Sequence, residues 1–556
     1  PAGLGGPRAW GGMRRARPCL ALLDGVAVGA DPISRLSPFA LARLALRSAR
    51  ANRNSVGLWR AMAARAIVVA PTMQPTDMST VLFAFARLRF RDREMMSRLA
   101  EATPAILGQF RAADITYFLA AFARLEVQHK LVFNLFAREI SRKLYDFNAA
   151  QLGELAYAYA RLGMRHDLLL EVLKKRVVEV VKALKPWHLA MVTNGFARLG
   201  VADERFFTIL AAEICKKVSE FPGRPLALVA NAYARLGVRN RFLLEILTDE
   251  SFRRRGELEP QAVALLLNAH ARLQLGHSVL FDYFAQDVPR RIKNYSLHSL
   301  CLVASAFARQ RQADKQLFDK IGDFACKNAT SLYPRSIATL LFSFSEVEIR
   351  HGVLFYHAPE HIAKHIAAYS TDELAMVARA YGRFQMVHLQ LFDTITAALP
   401  GRVLAALEAP APPAEGDFQD EPPAPSLEAS PPRISSLVGF LEAYARLTIY
   451  DAAVLELLCD AIVKRQADMA PPLVVQAARA AAALSFAHPG LVAMAERCMA
   501  TEGEELPLAE LEALSKALED LGVGRGGEER LLLERPQGRP MAPGSDEAAA
   551  AAEGGP

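Results

Sequence analysis

The sequence predicts an all-α protein, a right-handed α-solenoid of about twelve helical hairpins of 37 residues each. Three observations predict it. An arginine recurs at steps of 37 over most of the chain. Other positions in the same register hold one residue type. Within a period, apolar residues follow helical spacing in two runs separated by a stop signal.

Composition bounds the rest. Of 556 residues, 52 % are hydrophobic, enough for a large core and too many for a disordered chain. The net charge of +7 favours an acidic partner, nucleic acid or an anionic membrane, without choosing between them. The six cysteines (Cys19, Cys215, Cys301, Cys326, Cys459 and Cys498) form no CxxC pair, which fits a reducing compartment. No run of about 18 uncharged apolar residues occurs, so no membrane span is expected. Gly-rich phosphate loops, HExxH and GxSxG are absent from the sequence. No catalytic residue, cofactor or small-molecule substrate is expected.

Residues 1–70 form the first segment, with eleven arginines, no lysine, and only Asp24 and Asp31 as acids. Arg-rich and acid-poor, they read as an organelle presequence or a disordered basic arm. The chain opens on Pro1, which fits a fragment or translation from Met13.

The repeats follow. From Arg87, steps of 37 reach Arg124, Arg161, Arg198, Arg235, Arg272 and Arg309, then Glu346 in a degenerate copy, then Arg383. Arg446 comes 63 residues on, and two more steps reach Ala483 and Asp520. The surplus lies in a Pro- and acid-rich stretch, 406–432, that cannot pack a core and is expected to be disordered. Repeats 1–9 thus span 72–405, repeats 10–12 span 433–535, and 536–556 is a disordered tail. One step back from Arg87 lies Arg50, whose surroundings match poorly.

Two residues before this anchor the side chain is aromatic or nearly so, as in Phe85, Phe122, Tyr159, Phe196 and Tyr233. Three before, it is small (Ala84, Ala121, Ala158, Gly195); nine after, it is large and apolar (Phe133, Leu170, Phe207, Phe355). In "LGELAYAYARLG", Leu152, Leu155, Ala156, Tyr159 and Leu162 share one helical face and Gly163 stops the helix. A longer second helix, "RHDLLLEVLKKRVVEVVKAL", runs to a break at "KPWH". One hairpin cannot bury both faces, so neighbours must stack.

Three sets of positions are candidate contacts. The anchors Arg87, Arg124, Arg161, Arg198, Arg235, Arg272, Arg309, Arg383 and Arg446 end first helices. There a cation complements the dipole, reaches free carbonyls or bridges hairpins. That structural role is favoured over phosphate contact, and an invariant residue cannot tell one base from another. Four residues before the anchor the chain varies. Tyr157, Asn194, Asn231, Asn268, Ser305 and Arg379 are base-contact candidates, because such groups hydrogen-bond to bases or stack on them. The alternative is a polar position between repeats or in solvent.

Eighteen after the anchor stand Arg142, Glu179, Lys216, Arg253, Arg290, Lys327, Lys364 and Lys464; the next position adds Lys143, Lys217, Arg254 and Arg291. In a solenoid one column becomes one stripe, here basic from Lys216 to Lys364 and suited to phosphates. Dipole complementation at helix ends explains the same charges. His357, His361 and His365 have metal-ligand spacing for a helix, but Pro359 intervenes and no matching Cys or acid partner exists, so no metal is expected.

A helical hairpin of 37 residues bearing A-[FY]-A-R-L-G resembles the heptatricopeptide and octotricopeptide repeat proteins of organelles, relatives of FAST-kinase-like and RAP-domain proteins. It is also similar to the repeats of RNA-editing substrate-binding complex subunits. The resemblance covers about 72–400 well and 433–525 less closely. It implies a non-catalytic solenoid that binds single-stranded organellar RNA in mitochondria, or alternatively plastids. The implied roles are RNA processing, stability, editing or ribosome assembly, with ribonucleoprotein or mitoribosome subunits as partners. No RAP-type domain follows residue 535, so nuclease-like activity is not carried over. A protein-interaction scaffold of the armadillo or tetratricopeptide type and a structural subunit of an organellar ribosome stay open.

Arg198→Ala is expected to lower thermal stability more than RNA affinity. Melting curves beside an RNA titration measure both, and the reverse order would assign the arginine to the ligand.

Overall fold

In the computed structural model, which describes residues 33–275, 278–328, 333–408, 432–502 and 506–522, every regular element is helical. Odd-numbered helices are the first of each hairpin: α1 (Pro38–Arg50), α3 (Pro75–Arg87), α5 (Ala112–Arg124), α7 (Ala149–Arg161), α9 (Pro186–Arg198), α11 (Gly223–Leu236) and α13 (Pro260–Leu273). The series continues with α15 (Leu297–Arg309), α17 (Pro334–Glu346), α19 (Thr371–Arg383), α21 (Ile434–Leu447), α23 (Pro471–Ala483) and α25 (Leu508–Asp520). Even-numbered helices are the second: α2 (Val56–Val69), α4 (Arg93–Ile106), α6 (Lys130–Arg142), α8 (Asp167–Val180), α10 (Glu204–Lys217) and α12 (Arg241–Arg253). After them come α14 (Ser278–Arg290), α16 (Lys315–Lys327), α18 (Gly352–Lys364), α20 (Leu389–Glu408), α22 (Ala452–Lys464) and α24 (Pro489–Glu502). Most second helices run into a single 3-10 turn, such as Leu144–Asp146 or Val218–Glu220.

The helices group into two compact units, one ending at Phe281 and the other beginning at Asp282. Within each unit, first helices of successive repeats lie side by side and touch more extensively than second helices do. Small side chains allow this. A Cβ on Gly195 would stand 2.8 Å from the Ala156 carbonyl oxygen, so only glycine fits that crossing.

Local chemistry sets both ends of each loop. The residue two after the anchor is left-handed in every hairpin, with Gly163, Gly200 and Gly237 at φ 64°, 70° and 68°. Glu126 and Gln385 adopt the same conformation at a cost of roughly 1–2 kcal/mol each. The next N–H closes the helix, as Met164 does on the Tyr159 carbonyl at 2.9 Å. Most second helices start on Asp, Asn or His, while α2 starts on Ser55. Asp203 Oδ1 accepts from the Phe206 amide at 3.0 Å, and His166 Nδ1 from that of Leu169 at 3.3 Å.

The core fills each hairpin, as where Phe196 and Phe206 meet at 4.8 Å, and also joins one repeat to the next. The aromatic residue before the anchor lands on the large residue of the preceding second helix. Phe133 and Tyr159 meet with ring centroids 5.0 Å apart, Phe318 and Phe344 at 4.9 Å. Burying each ring contributes about 1.5–3 kcal/mol, and edge-on geometry about 0.5–1.5 more. Tyrosines add a hydrogen bond: Tyr159 Oη donates to the Phe133 carbonyl at 2.8 Å, and Tyr233 Oη to that of Phe207 at 2.6 Å.

Two expectations are corrected. Residues 38–69 are not an arm but a hairpin, α1 and α2, and they hold six of the eleven N-terminal arginines. Trp59, nine after Arg50, packs edge-on against Phe85 at 4.7 Å, so the register of 37 already holds there. Ser48 occupies the usual ring position, and no earlier second helix among the described residues lies there to receive a ring. That hid the repeat from pattern matching. Pro359 does not break α18 either. A proline cannot bond to the carbonyl four residues back, here that of Phe355. Tyr381 Oη donates to that carbonyl at 2.6 Å and replaces the missing amide. The expected presequence lies, for residues 1–32, outside the described residues, as do most of the insert and the whole tail.

Tyr381→Phe should therefore destabilise the chain more than Tyr233→Phe. The first leaves the Phe355 carbonyl without a donor, worth about 1–3 kcal/mol; the second removes a shared bond worth about 0.5–1.5 kcal/mol. Denaturant midpoints measure both, and equal losses would show that Pro359 creates no special need.

Candidate nucleic-acid interface

On each first helix the anchor and the residues four, seven and eleven before it share one face, partly buried against the neighbouring first helices. In α9 these are Arg198, Asn194, Met191 and Trp187. The anchor does not stand free. Arg161 Nε donates to the Ala123 carbonyl of the preceding first helix at 2.9 Å, Nη1 to Tyr157 Oη at 2.9 Å, and Nη2 pairs with Glu126 at 2.8 Å. Arg124 lies 3.5 Å from Glu154, and Arg383 pairs with Glu346 one repeat back. Arg87, Arg198 and Arg309 are the last residues of their first helices, and Arg235, Arg272 and Arg446 the last but one.

The varied position four before the anchor differs from expectation. Asn194, Asn231 and Asn268 are only 8 %, 2 % and 4 % exposed, and Asn268 Nδ2 donates to Asn231 Oδ1 at 3.3 Å. The small neighbours draw the first helices so close that this position falls into their seam. A base cannot reach Asn231 or Asn268 without parting two helices. In the second unit the column is also internally joined. Arg379 lies over the Phe342 ring at 5.2 Å and 3.6 Å from Glu442. Tyr157, Ser305 and Arg379 are half-buried.

The two basic columns separate sharply. The later one is taken up by the backbone of the preceding repeat. Lys143 Nζ donates to the Gly108 and Phe110 carbonyls at 2.8 and 2.9 Å, and Lys217 Nζ to those of Lys182 and Leu184 at the same distances. Arg254 donates to the Ser219 and Phe221 carbonyls at 2.6 and 2.8 Å, and Arg402 and Arg465 reach carbonyls in the same way. Arg291 pairs with Asp287. The phosphate role expected of Lys143, Lys217 and Arg254 is corrected, because carbonyls left over at a helix end already hold them.

The earlier column faces solvent. The side chains of Arg142, Lys216 and Arg253 are 78 %, 67 % and 66 % exposed. Arg290, Lys327, Lys364 and Lys464 are exposed too. Each of the first three shares a buried acid with its neighbour in the later column: Glu139, Glu213 and Glu250, three residues before the exposed cation. Two cations and one acid leave +2 − 1 = +1 per repeat. The Lys217 ammonium holds the Glu213 carboxyl below its usual range against the opposing effect of burial. Glu179 is the same pair reversed: Arg176 occupies the acid's position and binds it at 2.7 Å. It neutralises the stripe locally instead of adding a free acid. The buried acids escaped the sequence reading, although [ED]xx[KR][KR] stands in "EISRK", "EICKK", "ESFRR" and "DVPRR".

The rings of His361 and His365 lie 4.4 Å apart and tilted by 31°, while the His357 ring lies edge-on to Tyr356. Among the described residues no cluster of three or more His, Cys, Asp or Glu is placed to hold a metal ion, and no helix is long and apolar enough to cross a membrane.

Solved structures offer distant likenesses. A homology model of the full-length AP-3 complex in an intermediate open conformation has 11 % identity, covers 89 % of both chains and has a TM-score of 0.33. The crystal structure of the pentatricopeptide repeat protein PPR10 from maize has 11 % identity, covers 88 % of this chain and 89 % of that one, and has a TM-score of 0.24. No curated protein matches. The model of the RNA-editing substrate-binding complex 6 protein family matches residues 41–167 and 112–390. These matches span more than half of the 556 residues, and the chain belongs to that family.

Proposed function

We propose that this protein is a non-catalytic binder of single-stranded RNA, acting in RNA editing or processing in the mitochondrion. The family's name refers to an RNA-editing substrate-binding complex. One observation carries the reading for this chain. Of two adjacent cations per repeat, one is spent on backbone carbonyls and the other is left to solvent, at Arg142, Lys216 and Arg253 in the first unit. A fold that needed only the clamp would not repeat the second charge. Arg290, Lys327, Lys364 and Lys464 extend the set in the second unit. Within each unit a row of exposed cations tracks phosphates and reads no sequence. The organelle rests on the Arg-rich composition of residues 1–32 and on the resemblance of the repeat.

A specific observation favours a protein partner as well. Leu131, Leu168, Phe242 and Val279, each seven after an anchor, are exposed on second helices of the first unit. Repeated exposed apolar side chains mark protein contacts.

Replacing Lys216, Arg253, Arg290 and Lys327 together by Gln should weaken binding to single-stranded RNA and flatten its salt dependence. With about 0.7 counterions released per neutralised phosphate, the slope of log K against log salt should fall by about 3. Anisotropy titrations between about 50 and 200 mM salt measure it. An unchanged slope would remove the stripe from the interface.

A further inference from the structure

Three successive first helices of the first unit carry a cluster of partly exposed aromatic and acidic side chains. Phe83, Tyr117, Glu154 and Tyr157 are half-buried there, on α3, α5 and α7. The rings of Phe83 and Tyr117 meet edge-on at 5.8 Å. Glu154 stands one repeat beyond Tyr117, at 117 + 37 = 154, and one helical turn before Tyr157. Arg161 Nη1 donates to the Tyr157 hydroxyl and fixes that ring.

Glu154 is the unusual member. Its Oε2 is buried and receives no hydrogen bond; the closest cation, Arg124 Nη2, is 3.5 Å away. Burial raises the carboxyl's pKa, and Arg124 offsets part of that. The other described repeats place Arg43, Thr80, Met191, Leu228, Leu265, Leu302, Thr339, Met376, Gly439, Gln476 or Ala513 at this position. None is an acid, so the fold does not ask for one here.

We propose that Glu154, with Tyr117, Tyr157 and Phe83, forms a site for one unpaired guanine of a bound RNA. A carboxylate offers two acceptors side by side. Only guanine presents two adjacent donors, N1–H and the N2 amino group, on its Watson–Crick edge. Adenine and cytosine set a ring-nitrogen acceptor beside their amino group, and uracil flanks its N–H with two carbonyls. Each of these would bring lone pairs against Glu154. Half-exposed aromatic rings beside the acid supply a stacking surface for the base. Arg124 lies at the same edge. The inference rests on the RNA-binding reading and adds a base preference to it.

The test uses the full chain and labelled uridine tracts of roughly twelve nucleotides, unmodified or carrying a central G, A or C. Wild type should bind the G-containing tract about 10-fold more tightly than the A- or C-containing ones. Glu154→Gln should reduce that preference to less than about 2-fold and bind plain uridine at least as tightly as wild type. An equal preference for G in E154Q, or none in wild type, overturns the site. Wild type binding none of the tracts overturns the RNA-binding reading itself, a separate outcome. Should E154Q unfold, Tyr117→Leu keeps the acid and must weaken the G-containing tract more than plain uridine; an equal loss on both also overturns the site.

Discussion

A helix ends with carbonyls that have no amide to accept. In this protein the neighbouring repeat supplies the donor, and the rest of the stack depends on it. Arg161 serves the end of the preceding first helix, and Lys143, Lys217 and Arg254 serve the preceding 3-10 turns. These bonds are short and charge-assisted, so they set distance and register as well as energy. The 37-residue period keeps each cation on its carbonyl, and the longer step to Arg446 keeps the clamp because its surplus precedes Pro432, whose carbonyl Arg465 reaches.

That dependence explains which residues can vary. Phe133 and Tyr159 must meet, because a gap there would leave two rings without partners. Pro359 is tolerated because Tyr381 already points at the carbonyl that the proline deprives. Helix starts accept Asp, Asn or His, since each presents an acceptor to the same amide. Exposed side chains beside these joints, such as Lys216 and Arg253, are open to use by a ligand.

The fold was legible because its strongest signals are periodic. Anchor, ring and small-residue columns each answer a contact made once per repeat. The first hairpin was hidden because Ser48 replaces the ring, and only Trp59 against Phe85 shows that the joint exists. The site was half legible. The charge of the basic columns could be read, but not that Lys216 faces solvent while Lys217 turns back to the backbone. Adjacent residues on a helix differ by about 100° in direction, and burial decides between them. The asparagines misled because polar variation usually marks a surface, whereas Asn231 and Asn268 satisfy each other inside a seam.

The bonds between repeats are not symmetric along the chain. Anchor arginines such as Arg161 and Arg383, clamp cations and tyrosine hydroxyls reach from a later repeat to an earlier one, whereas Arg124 reaches forward to Glu154. Fewer side chains reach forward, as Gln128 does to the Leu162 carbonyl and Arg165 to that of Leu199. The array therefore has a polarity. Trimming it from the carboxyl side strips donors from the repeat that becomes last, while trimming from the amino side leaves most of the remaining carbonyls served. A chain emerging from the ribosome would meet that asymmetry in a favourable order, each new hairpin closing the one already made.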